Sequence, residues 1–165
     1  MQAFGISALS RRSVLQLAAA GAALSGVSAC AAPPRVYTMA VNRDAGCGCC
    51  QGWMTLIQRS GRITAAMRDE PDMQALKRRL GVPADLASCH TAEVEGYVIE
   101  GHVPSADIVR LLEQRPAGVR GLAVPGMPIG SPGMEQSGGG RDAFDVFAFR
   151  ADGARDVFAH YAAQS

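Results

Sequence analysis

The sequence has no apolar run long enough to span a membrane. Its Ala-rich stretch from Val14 to Ala29 holds about 16 residues, against the ~20 that a spanning helix needs. It has no excess of charge either: 16 Lys and Arg face 15 Asp and Glu. Residues 1–30 hold two of the arginines and no acid, so 14 bases and 15 acids remain beyond them, a net charge of −1. That balance argues against the clustered basic surface by which nucleic acid is bound. No internal repeat at a fixed period is present, which removes the repeat architectures. Nor does the chain depend on disulfides to fold. With 30 of 165 residues set aside, 135 remain. That length suits a single domain, and one of ~150 residues buries about 68–70% of its unfolded surface. The 5 cysteines therefore call for another explanation.

What is present begins with an address. Ser10-Arg11-Arg12-Ser13-Val14-Leu15-Gln16 resembles a twin-arginine export signal, and the Val14–Ala29 run fits its apolar region. Val27-Ser28-Ala29-Cys30 resembles a lipobox, which would make Cys30 a lipid anchor; plain cleavage after Ala29 is the competing reading. Either way the mature chain is expected in the periplasm, with membrane contact only through that anchor. The expected organisation is an export signal over 1–30, a Pro-containing tether over 31–35 and one domain over 36–165.

Within that domain Val36–Val41 reads as a strand, by its Val, Tyr and Thr content. A helix is expected from about Cys49 to Ser60, with Trp53, Leu56 and Ile57 on one face and Gly61 as its stop. Ile63–Met67 is a second strand. Pro71 opens a second helix that buries Met73, Leu76 and Leu80 and closes at Gly81. Thr91–Val94 and Tyr97–Ile99 are short strands turned by Glu95-Gly96. Pro104 opens a third helix with Ile108, Leu111 and Leu112 inward. The Gly- and Pro-rich stretch from Gly121 to Gly140 is expected to hold neither helix nor central strand. Phe144–Phe149 and Val157–Tyr161 form a hairpin around Asp152-Gly153. The order predicts an α/β fold, a small mixed sheet flanked by helices with a C-terminal β-hairpin.

Gly46-Cys47-Gly48-Cys49-Cys50 lies between the first strand and the first helix. A strand that feeds a cysteine pair at a helix N-terminus is the thioredoxin-like arrangement. The helix dipole favours negative charge there and depresses thiol pKa values, which suits redox exchange and metal binding equally. Cys47 and Cys50 form C-x-x-C, able to close a disulfide or share an ion. Cys49 is the discriminating residue, because a dithiol oxidoreductase has no evident use for a third thiol, whereas Cu(I) selects thiolate and thioether ligands. A structural disulfide beside a spare cysteine stays open as the bland reading in an exported chain. Cys89 and His90 come about 40 residues later, at a strand start. Cys89 reads as a fourth thiol or a disulfide partner, and His90 as a ligand or a strand-end residue. His102 sits in a loop between Gly101 and Pro104, where ligands and ordinary structural histidines both occur. Met127 and Met134, in the apolar loop Gly126–Glu135, are thioether candidates or core filler. Met39, Met54, Met67 and Met73 fall in regular patterns and read as core; His160 reads as an ordinary edge residue.

Several stretches together carry a resemblance. They are Cys47-Gly48-Cys49-Cys50 with Trp53, Leu80-Gly81-Val82-Pro83, Ser88-Cys89-His90-Thr91, the run Gly96 to Pro104 and the run Gly121 to Glu135. The sequence resembles domain of unknown function 411, a family of exported bacterial metal-binding proteins associated with copper resistance. The resemblance covers about residues 36 to 162 and implies a thioredoxin-like fold and copper as the metal. The family's motifs carry onto Cys47, Cys49, Cys50, Cys89, His90, His102, Met127 and Met134. True thioredoxins present a Pro opposite their cysteines; here Cys89, His90 and Thr91 occupy that place. Asn42-Arg43-Asp44-Ala45 is more polar than the family pattern.

The function expected is copper sequestration, handling or resistance in the periplasm. Thiolates would hold Cu(I), more than one ion per chain with bridging thiols, His and Met would fill further positions, and a periplasmic donor or acceptor protein would be the partner. Catalytic turnover does not follow from the sequence. The alternative is a thiol–disulfide oxidoreductase using Cys47 and Cys50, with Cys89 resolving. Zinc held by three or four Cys and His ligands is a third reading, but it has no use for methionine.

Overall fold

The structure, a computed structural model, describes residues 33–165. The export signal, the lipobox and Cys30 lie outside the described residues. From Tyr37 the elements run β1 (Tyr37–Arg43), α1 (Gly48–Arg59), β2 (Ile63–Asp69), α2 (Met73–Leu80), β3 (His90–Val94), β4 (Tyr97–Glu100), α3 (Ser105–Gln114), β5 (Val119–Ala123), β6 (Phe144–Arg150) and β7 (Arg155–Tyr161). A 3₁₀ turn, Ala84–Leu86, sits in the loop before β3.

One seven-stranded mixed sheet has the order β2-β1-β3-β4-β5-β6-β7. β1 is parallel to β2 and antiparallel to β3; β4 is antiparallel to β3 and parallel to β5; β5, β6 and β7 continue antiparallel. The expected α/β class, mixed sheet and terminal hairpin are all present. Strand alternation divides the core between the two sheet faces. Met39, Val41, Ala92, Ile99 and Leu122 pack with Trp53 and Ile57 of α1 and Ile108, Leu111 and Leu112 of α3. Val98, Ala123 and Phe149 point the other way, onto Met73, Leu76 and Leu80 of α2.

Two local expectations are corrected. Pro71 stays outside α2; Asp72 is the N-cap, its carboxylate accepting from the Ala75 N–H at 2.8 Å. Pro104 opens α3 as expected, standing as its N-cap. The second correction is larger. Gly121 to Ala123 is a central strand, β5, between β4 and β6. Its glycine is required by the neighbours, since a Cβ at Gly121 would overlap the Val98 carbonyl oxygen and the Phe149 ring. A glycine read as a strand breaker is here the residue that lets two strands close up.

The fold brings three chain segments to one end of the sheet. β1 ends at Arg43, opposite His90, the first residue of β3. Thr91 of β3 pairs with Glu100, the last residue of β4. The cysteine loop, the Cys89-His90 pair and the turn holding His102 are thereby neighbours.

Candidate metal centre

The cysteine loop is a tight turn closed by the Cys47 N–H onto the Asp44 carbonyl, with Gly46 at φ +80°. Cys47 occupies the N-cap of α1, and Cys49 and Cys50 lie in its first turn. All three sulfurs are thus at the positive end of the helix dipole. Arg43 steadies the loop: its Nη1 donates to the Cys47 carbonyl at 3.0 Å while its Nε donates to Asp69 at 3.0 Å. Cys47 and Cys50 are joined as a disulfide, leaving Cys49 and Cys89 as free thiols among the described residues. Cys50 is buried, whereas Cys47 and Cys49 are half-buried. Because the thiolate is the metal ligand, this pair must be reduced before either sulfur can bind an ion.

Cys89 is the hub. Its Sγ lies 3.9 Å from Cys49 Sγ, 3.3 Å from His90 Nδ1 and 3.1 Å from His102 Nε2. Cys47 and Cys49 sulfurs are 3.5 Å apart, and Cys50 Sγ is 3.9 Å from the Cys89 carbonyl oxygen. His102 is fixed from behind, since its Nδ1 meets the Pro132 carbonyl at 2.7 Å. A carbonyl only accepts, so Nδ1 carries the proton and the Nε2 lone pair faces Cys89. This is the arrangement by which an outer partner sets the tautomer of a ligating histidine. His90 and His102 are both fully buried. Burial, followed by the charges of His102 and Lys77, holds His90 down at about 3; burial also lowers His102. Both rings are therefore neutral at pH 7, the form that ligates. The His90 ring also packs against Trp53, with ring centroids 4.2 Å apart, and the indole Nε1 donates to Val103 O at 2.9 Å.

The loop Gly126–Glu135 folds down onto the N-terminal turn of α1. Gly133 makes this possible: it has φ +87°, and a Cβ there would come within 2.5 Å of the Trp53 nitrogen and 3.0 Å of the Cys49 carbonyl. The loop brings the Met127 sulfur to 3.8 Å from Cys49 Sγ while leaving the residue half-exposed. Ser88 Oγ donates to the Gly126 carbonyl and ties the loop to the Cys89 segment. Met134 is half-buried and closes a turn through its backbone, donating to Ser131 O at 2.8 Å and accepting from Gly130 N at 2.9 Å. Among the described residues its sulfur, unlike that of Met127, accepts no hydrogen bond from a thiol. Met39, Met54, Met67 and Met73 pack in or against the core, and His160 is exposed on β7, paired with Asp145 at 2.6 Å.

The donors form two overlapping sets, Cys47–Cys49–Cys50–Cys89 and Cys89–His90–His102, with ligand atoms in each within 4.8 Å of one another. Cys89 belongs to both. Thiolate, imidazole and thioether donors together make a soft site that can bridge ions. The sequence reading missed Arg43, Lys77, Ser88 and Glu100, which hold the ligand segments. A charged residue closing the otherwise apolar strand Tyr97–Glu100 was the available signal.

A family described as "Protein of unknown function, DUF411" matches residues 86–134. Two solved structures are similar, the "Copper resistance protein copG" in its Form 1 and its Form 2. Form 1 is 43% identical over 79% of this chain and 99% of its own, with a TM-score of 0.71. Form 2 is 43% identical over 77% of this chain and 99% of its own, again with a TM-score of 0.71. No curated protein matches.

Proposed function

The chain belongs to the DUF411 family of copper-resistance proteins, and from that premise we propose that it sequesters or hands on Cu(I) through its cysteine, histidine and methionine cluster. The observation that carries the reading is Cys89, shared between a four-sulfur set and a two-imidazole set. A thiolate so placed can bridge two ions, so more than one copper per chain is expected. Met127, half-exposed beside Cys49, supplies a thioether at the mouth of the site. Met134 is retained as a ligand only if the loop rearranges on loading. The export motif supports action in the periplasm, and the lipobox supports anchoring through Cys30, with copper passing to or from another periplasmic protein. The strand order β2-β1-β3-β4, with α1 between β1 and β2, α2 between β2 and β3 and α3 following β4, supports a thioredoxin-like fold for the first part of the sheet.

X-ray absorption on the reduced, Cu(I)-loaded chain tests this reading. The expected spectrum has mostly sulfur neighbours with a minor nitrogen shell. Coordination by nitrogen and oxygen alone would overturn it.

One observation favours a second reading. The Cys47–Cys50 disulfide stands at a helix N-terminus, the placement that would suit the reactive pair of a thiol–disulfide oxidoreductase. That chemistry has no use for His102 or Met127, so the copper reading accounts for more of the site.

A further inference from the structure

Below the cluster lies a buried charged network in neither donor set. Glu100 is fully buried at the end of β4. Its Oε1 accepts from the Ser88 backbone N–H at 2.6 Å and from Lys77 Nζ at 2.5 Å; its Oε2 accepts from Thr91 Oγ1 at 2.7 Å. Lys77, itself 4% exposed, donates also to Thr91 Oγ1 at 2.8 Å. Asn42 holds the same segment from the β1 side, its Nδ2 donating to Thr91 O at 3.4 Å.

The sequence positions of these partners are the point. Ser88 and Thr91 flank Cys89 and His90. A single carboxylate grips the segment immediately before and immediately after the two candidate ligands. The same residue begins the turn to His102: Val124 N donates to the Glu100 carbonyl at 3.0 Å, and Gly101 N to the His90 carbonyl at 3.0 Å. A buried ion pair is a poor device for stability alone, because desolvating two charges offsets much of their attraction. Here each carboxylate oxygen accepts at least one hydrogen bond, and what the network delivers is geometry.

We infer that Glu100, neutralised by Lys77, is the positioning residue that sets Cys89 and His90, and through the following turn His102, in their ligand geometry. The inference rests on the copper reading for its functional meaning and on the hydrogen bonds alone for its structural content. Glu100 touches no ion and supplies no donor atom; it acts through the ligands. Replacing it by Gln keeps the shape but turns one oxygen into an N–H₂ that can only donate. That group would face Thr91 Oγ1, which can reverse its role, or the Ser88 and Lys77 donors, which cannot.

The test uses the full chain, reduced, with Cu(I) titrated anaerobically against a competing chelator. Glu100→Gln is expected to weaken Cu(I) binding about 10- to 100-fold, the range seen when an outer partner of a metal ligand is removed. Thr91→Val, which leaves the ion pair in place, is expected to give a smaller loss in the same direction and serves if Glu100→Gln does not fold. Asp107→Asn is the control. Asp107 is a buried carboxylate held by Tyr161 and Arg110 on α3, away from the site. It should lose stability without losing Cu(I) affinity. A second readout needs no copper: amide hydrogen exchange at Cys89 and His90 in the metal-free protein should speed up in Glu100→Gln while β6 is unchanged. If the wild-type chain fails to bind Cu(I) tightly, the copper reading falls, and faster exchange confined to Cys89 and His90 would still support the positioning role. Unchanged exchange together with wild-type affinity would overturn the inference. So would an equal loss of affinity in Asp107→Asn.

Discussion

The Nε2 of His102 lies 3.1 Å from the Sγ of Cys89, two side chains from the two arms of the β3–β4 hairpin at its open end. Pro132, from a third segment, holds the other nitrogen of the same ring. The thiol at the centre of the site therefore sits against an imidazole whose lone pair is already aimed at it.

Cys89 should be a sluggish thiol without metal. Burial foremost, and then the neighbouring Cys49, push it up to about 12 from its ordinary 9.0. It is protonated at neutral pH, so copper binding must displace its proton. In the metal-free protein its alkylation by iodoacetamide, followed by mass spectrometry, should still be accelerating between pH 9 and about 11. A rate that levels off near pH 9 would contradict the buried environment.

His90 should make the metal-free fold acid-sensitive. Its folded pKa, about 3, is depressed below the ordinary 6.5. Between those values the unfolded chain binds a proton that the folded chain refuses. Its contribution to stability is therefore complete above about pH 6.5 and is lost as pH falls toward 3, by up to about 1.4 kcal/mol per pH unit within the window. Urea unfolding at a series of pH values should show a shallower slope for His90→Gln than for wild type. The comparison cancels the carboxylates common to both chains, and parallel slopes would remove His90 as the cause.

The two loop methionines should differ. Met127→Leu removes a thioether 3.8 Å from Cys49 Sγ and should lower Cu(I) affinity by roughly tenfold, about 1.4 kcal/mol. Met134→Leu should lower it less, because the hydrogen bonds of Met134 run through its backbone and its sulfur makes none to the cysteines or histidines. Disulfide reductase activity should respond to neither substitution. Equal losses for the two variants in a chelator competition would bring Met134 into the site beside Met127.

Much of this was legible in the sequence because it rested on local patterns. Trp53 and Ile57 repeat at helical spacing, Gly81 takes the left-handed conformation that stops α2, and Asp152-Gly153 turns the β6–β7 hairpin. Cys89, His90 and His102 were legible as donors by residue type and loop position. What escaped were features that depend on distant neighbours. Gly121 looks like a break until Val98 and Phe149 are seen closing on it. Glu100 and Lys77 look like surface charges until β4 and α2 are packed together. The pairing of Cys47 with Cys50 was one of several allowed outcomes at that spacing, and no pattern separates Met127 from Met134 in an irregular loop.

The most direct test of the central claim is an anaerobic Cu(I) titration of the chain against a competing chelator, run on the reduced protein and on the form with the Cys47–Cys50 disulfide intact. The account predicts tight uptake by the reduced protein, weaker uptake by the disulfide form and near-complete loss in Cys89→Ser, since both donor sets share that sulfur. Absence of tight uptake by the reduced chain, with a Cys47–Cys50 disulfide that cycles readily with a dithiol, would contradict it and make the oxidoreductase reading the better one.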